Sequence, residues 1–161
     1  MPKKIILYTL LILILPGLAF SQVGAGNKAP EIQAESWINS EPISLSDLEG
    51  KVAVVEFWAT WCGPCRQTIP HLNDLYSQYQ QVTFISLTNE DREKSNIDSF
   101  VEEMQMQYPI GTGSNSFREY GVRGIPHAYV IGKDGTVVWK GHPLSDNFEQ
   151  AIHKALQNSN S

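Results

Sequence analysis

The sequence predicts an α/β sandwich built on a mixed sheet, and three observations predict it. Residues 52–58 and 82–87 are short, nearly continuous apolar runs, as strands buried on both faces require. Residues 62–79 and the segment from Asp146 carry apolar side chains at helical spacing, so strands alternate with helices. Gly132-Lys133-Asp134-Gly135, between residues 128–131 and 136–140, marks a hairpin and adds an antiparallel pair.

The 161 residues suit one domain, and 42 % hydrophobic against 18 % charged residues suffices for a normal core. Twelve basic against 17 acidic residues give a net charge of −5, which argues against nucleic-acid binding and against a polybasic membrane surface. Two cysteines make neither a disulfide-dense scaffold nor a four-thiolate zinc site.

Residues 1–21 read as a secretory signal. Lys3 and Lys4 form a positive start, residues 5–15 are an apolar stretch, Pro16-Gly17 breaks it, and Ala19-Phe20-Ser21 offers small residues at a cleavage site. The stretch is shorter than the ~20 residues that span a bilayer, so cleavage is expected over an uncleaved membrane anchor. The absence of cysteine near the cut excludes a lipid-modified start. Residues 22–28, with Gly24 and Gly26, read as a flexible leader, residues 29–157 as the domain and residues 158–161 as a tail.

Ser44 to Lys51 is a polar turn feeding the first strand. The helix over 62–79 presents Ile69, Leu72, Leu75, Tyr76 and Tyr79, and Pro70 should kink it. After the strand at 82–87, Thr88-Asn89-Glu90-Asp91 has the form of a capping box, followed by a helix face of Ile97, Phe100, Val101 and Met104. Residues 108–112 suggest a short strand and residues 117–120 a short helix. Phe148, Ala151, Ile152, Ala155 and Leu156 mark the closing helix.

The chemistry concentrates in Trp61-Cys62-Gly63-Pro64-Cys65. A C-x-x-C directly after a buried strand puts Cys62 on the opening turn of a helix. There the unpaired N–H groups and the helix dipole favour the thiolate, which is the nucleophile of disulfide exchange. Cys65, one turn on and more buried, is placed to resolve a mixed disulfide. Pro64 stiffens the first turn without losing a bond. A purely structural disulfide closing so short a loop would stabilise little, and a metal site would need ligands beyond His71, His127, His142 and His153.

Residues 54–66, with Trp58-Ala59-Thr60-Trp61-Cys62-Gly63-Pro64-Cys65, resemble the active-site block of the thioredoxin superfamily, and Gly121-Val122-Arg123-Gly124-Ile125-Pro126 resembles its second landmark. The resemblance covers nearly the whole mature chain. It implies a three-layer sandwich with helices on both faces of the sheet. The 33 residues between Leu87 and Gly121, with Lys28-Ala29-Pro30 and residues 45–51, resemble the exported TlpA/ResA-like branch.

The resemblance also implies site roles. Pro126 would be cis, the backbone of Ile125 would pair with an extended substrate segment, and Trp61, Gly63 and Pro64 would complete the substrate surface. Glu56 is a carboxylate inside an apolar strand, so burial should raise its pKa toward neutrality. It matches the position of an Asp that helps deprotonate the second cysteine in thioredoxins, so it would take the proton of Cys65. Relatives in the exported branch often carry Asn there and an acid just after the cysteines, where this chain has Gln67 and Thr68. His127 would tune the Cys62 thiolate if it pointed that way. Glu90, Asp91, Glu93, Asp98, Glu102 and Glu103 read as a solvated face of the inserted helix.

The expectation is an exported thiol–disulfide oxidoreductase acting as a periplasmic reductase, for example on apocytochrome cysteines. Its redox unit is the Cys62–Cys65 disulfide, with no dissolved cofactor and no metal. Its partners would be disulfide-bearing proteins and a membrane thiol-transfer donor. It would be a monomer, with neither nucleic acid nor a membrane span once the signal is cut. An oxidase or isomerase is the rival within enzymes, and a copper-binding module or a holdase the rival outside them. A peroxidase would surround its cysteine with a different motif.

Overall fold

The computed structural model describes residues 23–158. The signal read in residues 1–21 and most of the expected tail lie outside the described residues. In chain order the elements are β1 (Ser36–Ile38), a 3-10 helix (Leu45–Leu48), β2 (Val52–Phe57), α1 (Gly63–Gln78), β3 (Val82–Leu87) and α2 (Ile97–Glu103). They continue with β4 (Ile110–Thr112), α3 (Ser116–Glu119), β5 (His127–Ile131), β6 (Val137–Gly141) and α4 (Phe148–Gln157).

The strands form one six-stranded sheet in the order β1-β4-β3-β2-β5-β6. β2 pairs parallel with β3 and antiparallel with β5, which puts it at the centre and explains why its alternate residues are apolar on both faces. β3 pairs parallel with β4, while β1 and β6 are added antiparallel to β4 and β5. On one face Val52, Val54, Phe84 and Val130 pack under Ile69 and Leu72 of α1, Ile97 and Phe100 of α2, and Phe148 and Ile152 of α4. On the other, Val55, Phe57, Ile85 and Tyr129 meet Tyr120, Ile32 and the partly buried Phe117, Leu45 and Leu48. The mixed sheet with helices on both faces is thus the thioredoxin-like sandwich expected from the sequence. No helix among the described residues is long and apolar enough to cross a membrane.

Two local expectations are corrected, and one strand is added. The described part of the supposed flexible leader is tied down. Gly26 N–H donates to the Val137 carbonyl (2.8 Å), Val137 N–H to Asn27 (2.9 Å) and Ala29 N–H to Gly135 (2.9 Å), and Val23 is buried. Gly26 stands at φ 90°, which favours glycine, while its N–H is bonded to β6.

Thr88 does not cap a helix. Its N–H still donates to Gly111 as an extension of the sheet (3.0 Å), and Asp91 instead accepts from Glu93 and Lys94 in a separate turn. α2 therefore starts only at Ile97, after Asn96 in the left-handed region at φ 50°. Finally, Ser36–Ile38 forms a strand that its three residues do not announce, fixed by pairing with Ile110–Thr112.

Candidate active site

The C-terminal end of β2 delivers Trp58 and Ala59 to a short loop, and α1 begins at Gly63 with Cys62 as its N-cap. Cys62 and Cys65 are joined in a disulfide with Cα atoms 5.2 Å apart. The Cys62 Sγ accepts the Cys65 N–H at 3.2 Å, so the sulfur stands at the positive end of the helix, where a thiolate would be stabilised. Pro64 lies within the first turn, where its missing N–H costs nothing, and α1 continues through Pro70. Cys65 is fully buried and Cys62 nearly so, at 3 % exposure.

Trp58 lies in the core, stacked on Phe100 at 5.1 Å, and the Arg66 guanidinium lies over the Phe100 ring, 4.5 Å from its centroid. Arg66 also pairs with Glu103 at 2.9 Å. Trp61, by contrast, is 74 % exposed.

Glu56 points to the same face of the sheet as the cysteines, because it alternates with Val54 and sits opposite Ala128 in β5 and Ser86 in β3. It is 2 % exposed. The Ser86 hydroxyl donates to its Oε2 at 2.7 Å, and Oε1 has no partner among the described residues. Burial pushes the carboxyl up to about 8, against a smaller downward pull from Ser86. Nearby Tyr108 is also buried, and burial followed by the Glu56 charge pushes its hydroxyl well above the ordinary range. Glu56 is therefore no edge residue reaching for solvent.

The Ile125–Pro126 peptide is cis and lies just before β5, whose first residue, His127, is opposite Phe57. β2 and β5 thus bring the Cys62 loop and the proline loop to the same end of the sheet. His127 goes elsewhere. It shares a face with Tyr129, whose ring is 5.1 Å away, and so lies on the side of the sheet opposite the cysteines. Burial first, then the charges of Lys140 and His142, lower its pKa. The geometry gives it no contact through which to tune Cys62.

Sequence reasoning missed two features. Ser86 as the partner of Glu56 was signalled only by a lone hydroxyl in an apolar strand. Glu90, read as part of a solvated face, instead reaches Thr60 beside the cysteines. Of its acidic neighbours, Asp98 pairs with Arg92 and Glu103 with Arg66. Among the described residues no group of three or more His, Cys, Asp or Glu could hold a metal ion.

Comparison with known proteins gives the family and the fold. Residues 25–140 match the AhpC/TSA family. Thiol-disulfide oxidoreductase ResA of Bacillus thuringiensis subsp. konkukian (strain 97-27) is 30 % identical over 135 residues, spanning 80 % of this chain and 77 % of that protein. Thioredoxin-like protein YneN of Bacillus subtilis (strain 168) is 28 % identical over 116 residues, 70 % of this chain and 68 % of its own. Among solved structures, a putative thiol:disulfide interchange protein DsbE from Chlorobium tepidum superposes with a TM-score of 0.71 at 26 % identity, covering 83 % of this chain and 99 % of that one.

Proposed function

The chain belongs to the AhpC/TSA family and is a thiol–disulfide oxidoreductase of thioredoxin-like fold, and from that premise we propose that it works as a reductase of protein disulfides. The observation that carries this reading is a Cys62–Cys65 disulfide at a helix N-terminus, on the sheet face that also holds a buried, protonatable Glu56.

In the reduced enzyme the Cys62 thiolate attacks one sulfur of a substrate disulfide. A Cys62–substrate disulfide forms and the other substrate sulfur leaves as thiolate. Glu56, as carboxylate, takes the proton of the Cys65 thiol. The Cys65 thiolate then attacks Cys62 Sγ, closing the Cys62–Cys65 bond and releasing the second substrate thiolate. The cycle ends with an oxidised enzyme and a protonated Glu56. A carboxyl pushed up to about 8 in the disulfide form supports that end state. When a donor thiol reduces the enzyme again, Glu56 returns the proton to the departing Cys65 thiolate.

Trp61, Gly63, Pro64, Ile125 and Pro126 form the proposed substrate surface, with the Ile125 backbone pairing with an extended segment of the client. The reducing direction draws on the Gly63-Pro64 pair and on Glu56, by resemblance to reducing thioredoxins. Export to a periplasm, a membrane thiol-transfer donor, apocytochrome cysteines as clients and a monomeric state complete the proposal.

The test is the equilibrium reduction potential of the pair, titrated against glutathione or dithiothreitol and read from Trp fluorescence. A value near the ~−270 mV of thioredoxin is expected. A value near the ~−120 mV of DsbA would recast the protein as an oxidase.

A further inference from the structure

Thr60 is the middle residue of the loop that carries Cys62, and its anchorage is unusual. Its neighbours are held by backbone bonds, Trp58 N–H to the Leu87 carbonyl and Cys62 N–H to the Ala59 carbonyl, both at 3.1 Å. Thr60 is instead gripped by a side chain from far along the chain. Its N–H donates to Glu90 Oε2 at 2.6 Å and its hydroxyl to Glu90 Oε1 at 2.6 Å. Both carboxylate oxygens thus bond to Thr60, in the short, charge-assisted geometry that fixes orientation as well as distance.

Glu90 is itself held on every side. The Thr88 hydroxyl donates to its Oε2 at 3.2 Å, and its carbonyl accepts the Gly113 N–H at 2.8 Å. Ser114 N–H returns to the Thr88 carbonyl at 2.9 Å. Gly113 is at φ +62°, in the left-handed region that residues with a side chain rarely adopt, so this junction favours glycine. The stretch between β3 and the proline loop, which lengthens the chain here, therefore plants a carboxylate on the active-site loop.

We propose that Glu90 is a positioning residue for thiol–disulfide exchange. Through Thr60 it sets how Cys62 enters the first turn of α1 and how Trp61 is presented to a client. It touches no sulfur and transfers no proton. The inference rests on the oxidoreductase chemistry of Cys62 and Cys65, and not on the direction in which the pair runs.

A clamp that only holds the fold together would reveal itself by a lowered melting temperature alone. The test therefore reads chemistry in Glu90→Ala, Thr60→Val, Thr60→Ser and the Glu90→Ala/Thr60→Val double variant, well below the lowest melting temperature of the set. Two quantities are measured on the full chain: kcat/KM for reduction of insulin, and the thiolate pKa of Cys62 in reduced protein from its rate of alkylation by iodoacetamide against pH. Loss of the clamp is expected to lower kcat/KM about tenfold in Glu90→Ala, within the ~10²-fold that a ~1 Å misplacement can bring. Thr60→Val falls in the same direction, Thr60→Ser stays near wild type, and the double variant is no worse than Glu90→Ala, since both remove one contact. The Cys62 thiolate pKa moves in the same variants.

Changes under threefold in kcat/KM with an unmoved thiolate pKa would overturn the proposal, whatever the melting temperatures do. So would losses that multiply in the double variant. If wild type does not reduce insulin, the reductase reading falls, and the alkylation arm alone then decides the role of Glu90.

Discussion

Replacing Glu56 with Gln turns a buried titratable group into a neutral one of the same shape, and the consequence for stability can be worked out from its position. The carboxyl titrates at about 8 in the folded protein against 4.5 when unperturbed, because burial penalises its charge. Between those values the unfolded chain has released a proton that the folded chain still holds. Rising pH therefore favours unfolding, and the contribution of Glu56 is most favourable below 4.5 and is fully lost above about 8.

At ~1.4 kcal/mol per pH unit, the span amounts to about 5 kcal/mol between the two limits. Gln retains an oxygen for the Ser86 hydroxyl but brings an amide into the same apolar surroundings, which costs about 1–3 kcal/mol at any pH. The two stability curves should therefore cross. Wild type is the more stable at pH 5, and Glu56→Gln the more stable at pH 8 and above.

Urea denaturation of the oxidised proteins at each pH, read by Trp fluorescence, gives the difference directly. Parallel curves between pH 5 and 8 would refute the reasoning, because they would mean that Glu56 ionises in the folded protein as readily as in the unfolded one. Ser86→Ala provides an internal check. The Ser86 hydroxyl favours the charged form, so its loss should raise the Glu56 pKa further and move the steep part of the curve to higher pH.

Other outcomes follow from the same structure. Cys65→Ser should accumulate a Cys62–substrate mixed disulfide, visible by mass spectrometry and released by dithiothreitol, whereas Cys62→Ser should trap nothing. His127, whose pKa is lowered by burial and by Lys140 and His142, binds protons less readily when folded, so its contribution to stability declines as pH falls below 6.5. His127→Asn should remove that decline while leaving exchange rates unchanged, and thermal melts from pH 7.5 to pH 5 would check the first part. Deleting residues 1–28 severs the two backbone hydrogen bonds to Val137 at about 0.5–1.5 kcal/mol each and removes the core contact of Val23. Melting should fall by several degrees, measurable by circular dichroism.

What could be read from the sequence was what neighbouring residues decide. β2 and β3 announce themselves because a strand packed on both faces of the sheet is mostly apolar, and α1 because Ile69, Leu72 and Leu75 recur at its period. Cys62 and Cys65 are local to one turn, and Glu56 stands out as the one acid in an apolar run. The rest depends on partners far away. Ser36–Ile38 is a strand only because Ile110–Thr112 lies beside it. Thr88-Asn89-Glu90-Asp91 satisfied a local pattern, but its hydroxyl and carboxylate found Glu90 and Thr60 instead of a helix end. His127 was placed beside the cysteines by its nearness to Pro126 in sequence, yet the alternation of a strand sends neighbouring side chains to opposite faces.

The attachment of residues 24–29 to the hairpin bears on how the protein behaves in crowded solution. β6 is an outermost strand, and a row of unpaired N–H and C=O groups along it would invite another chain to add itself. The N-terminal segment occupies that row at Val137 and Gly135, with Lys28 bridged opposite Thr136 and its ammonium on the Asp134 carbonyl. The opposite margin is β1, only three residues long. The first stretch of described chain thus acts as a selvedge for the sheet. Shortening it should lower the concentration at which the protein begins to aggregate even under conditions where the remainder stays folded.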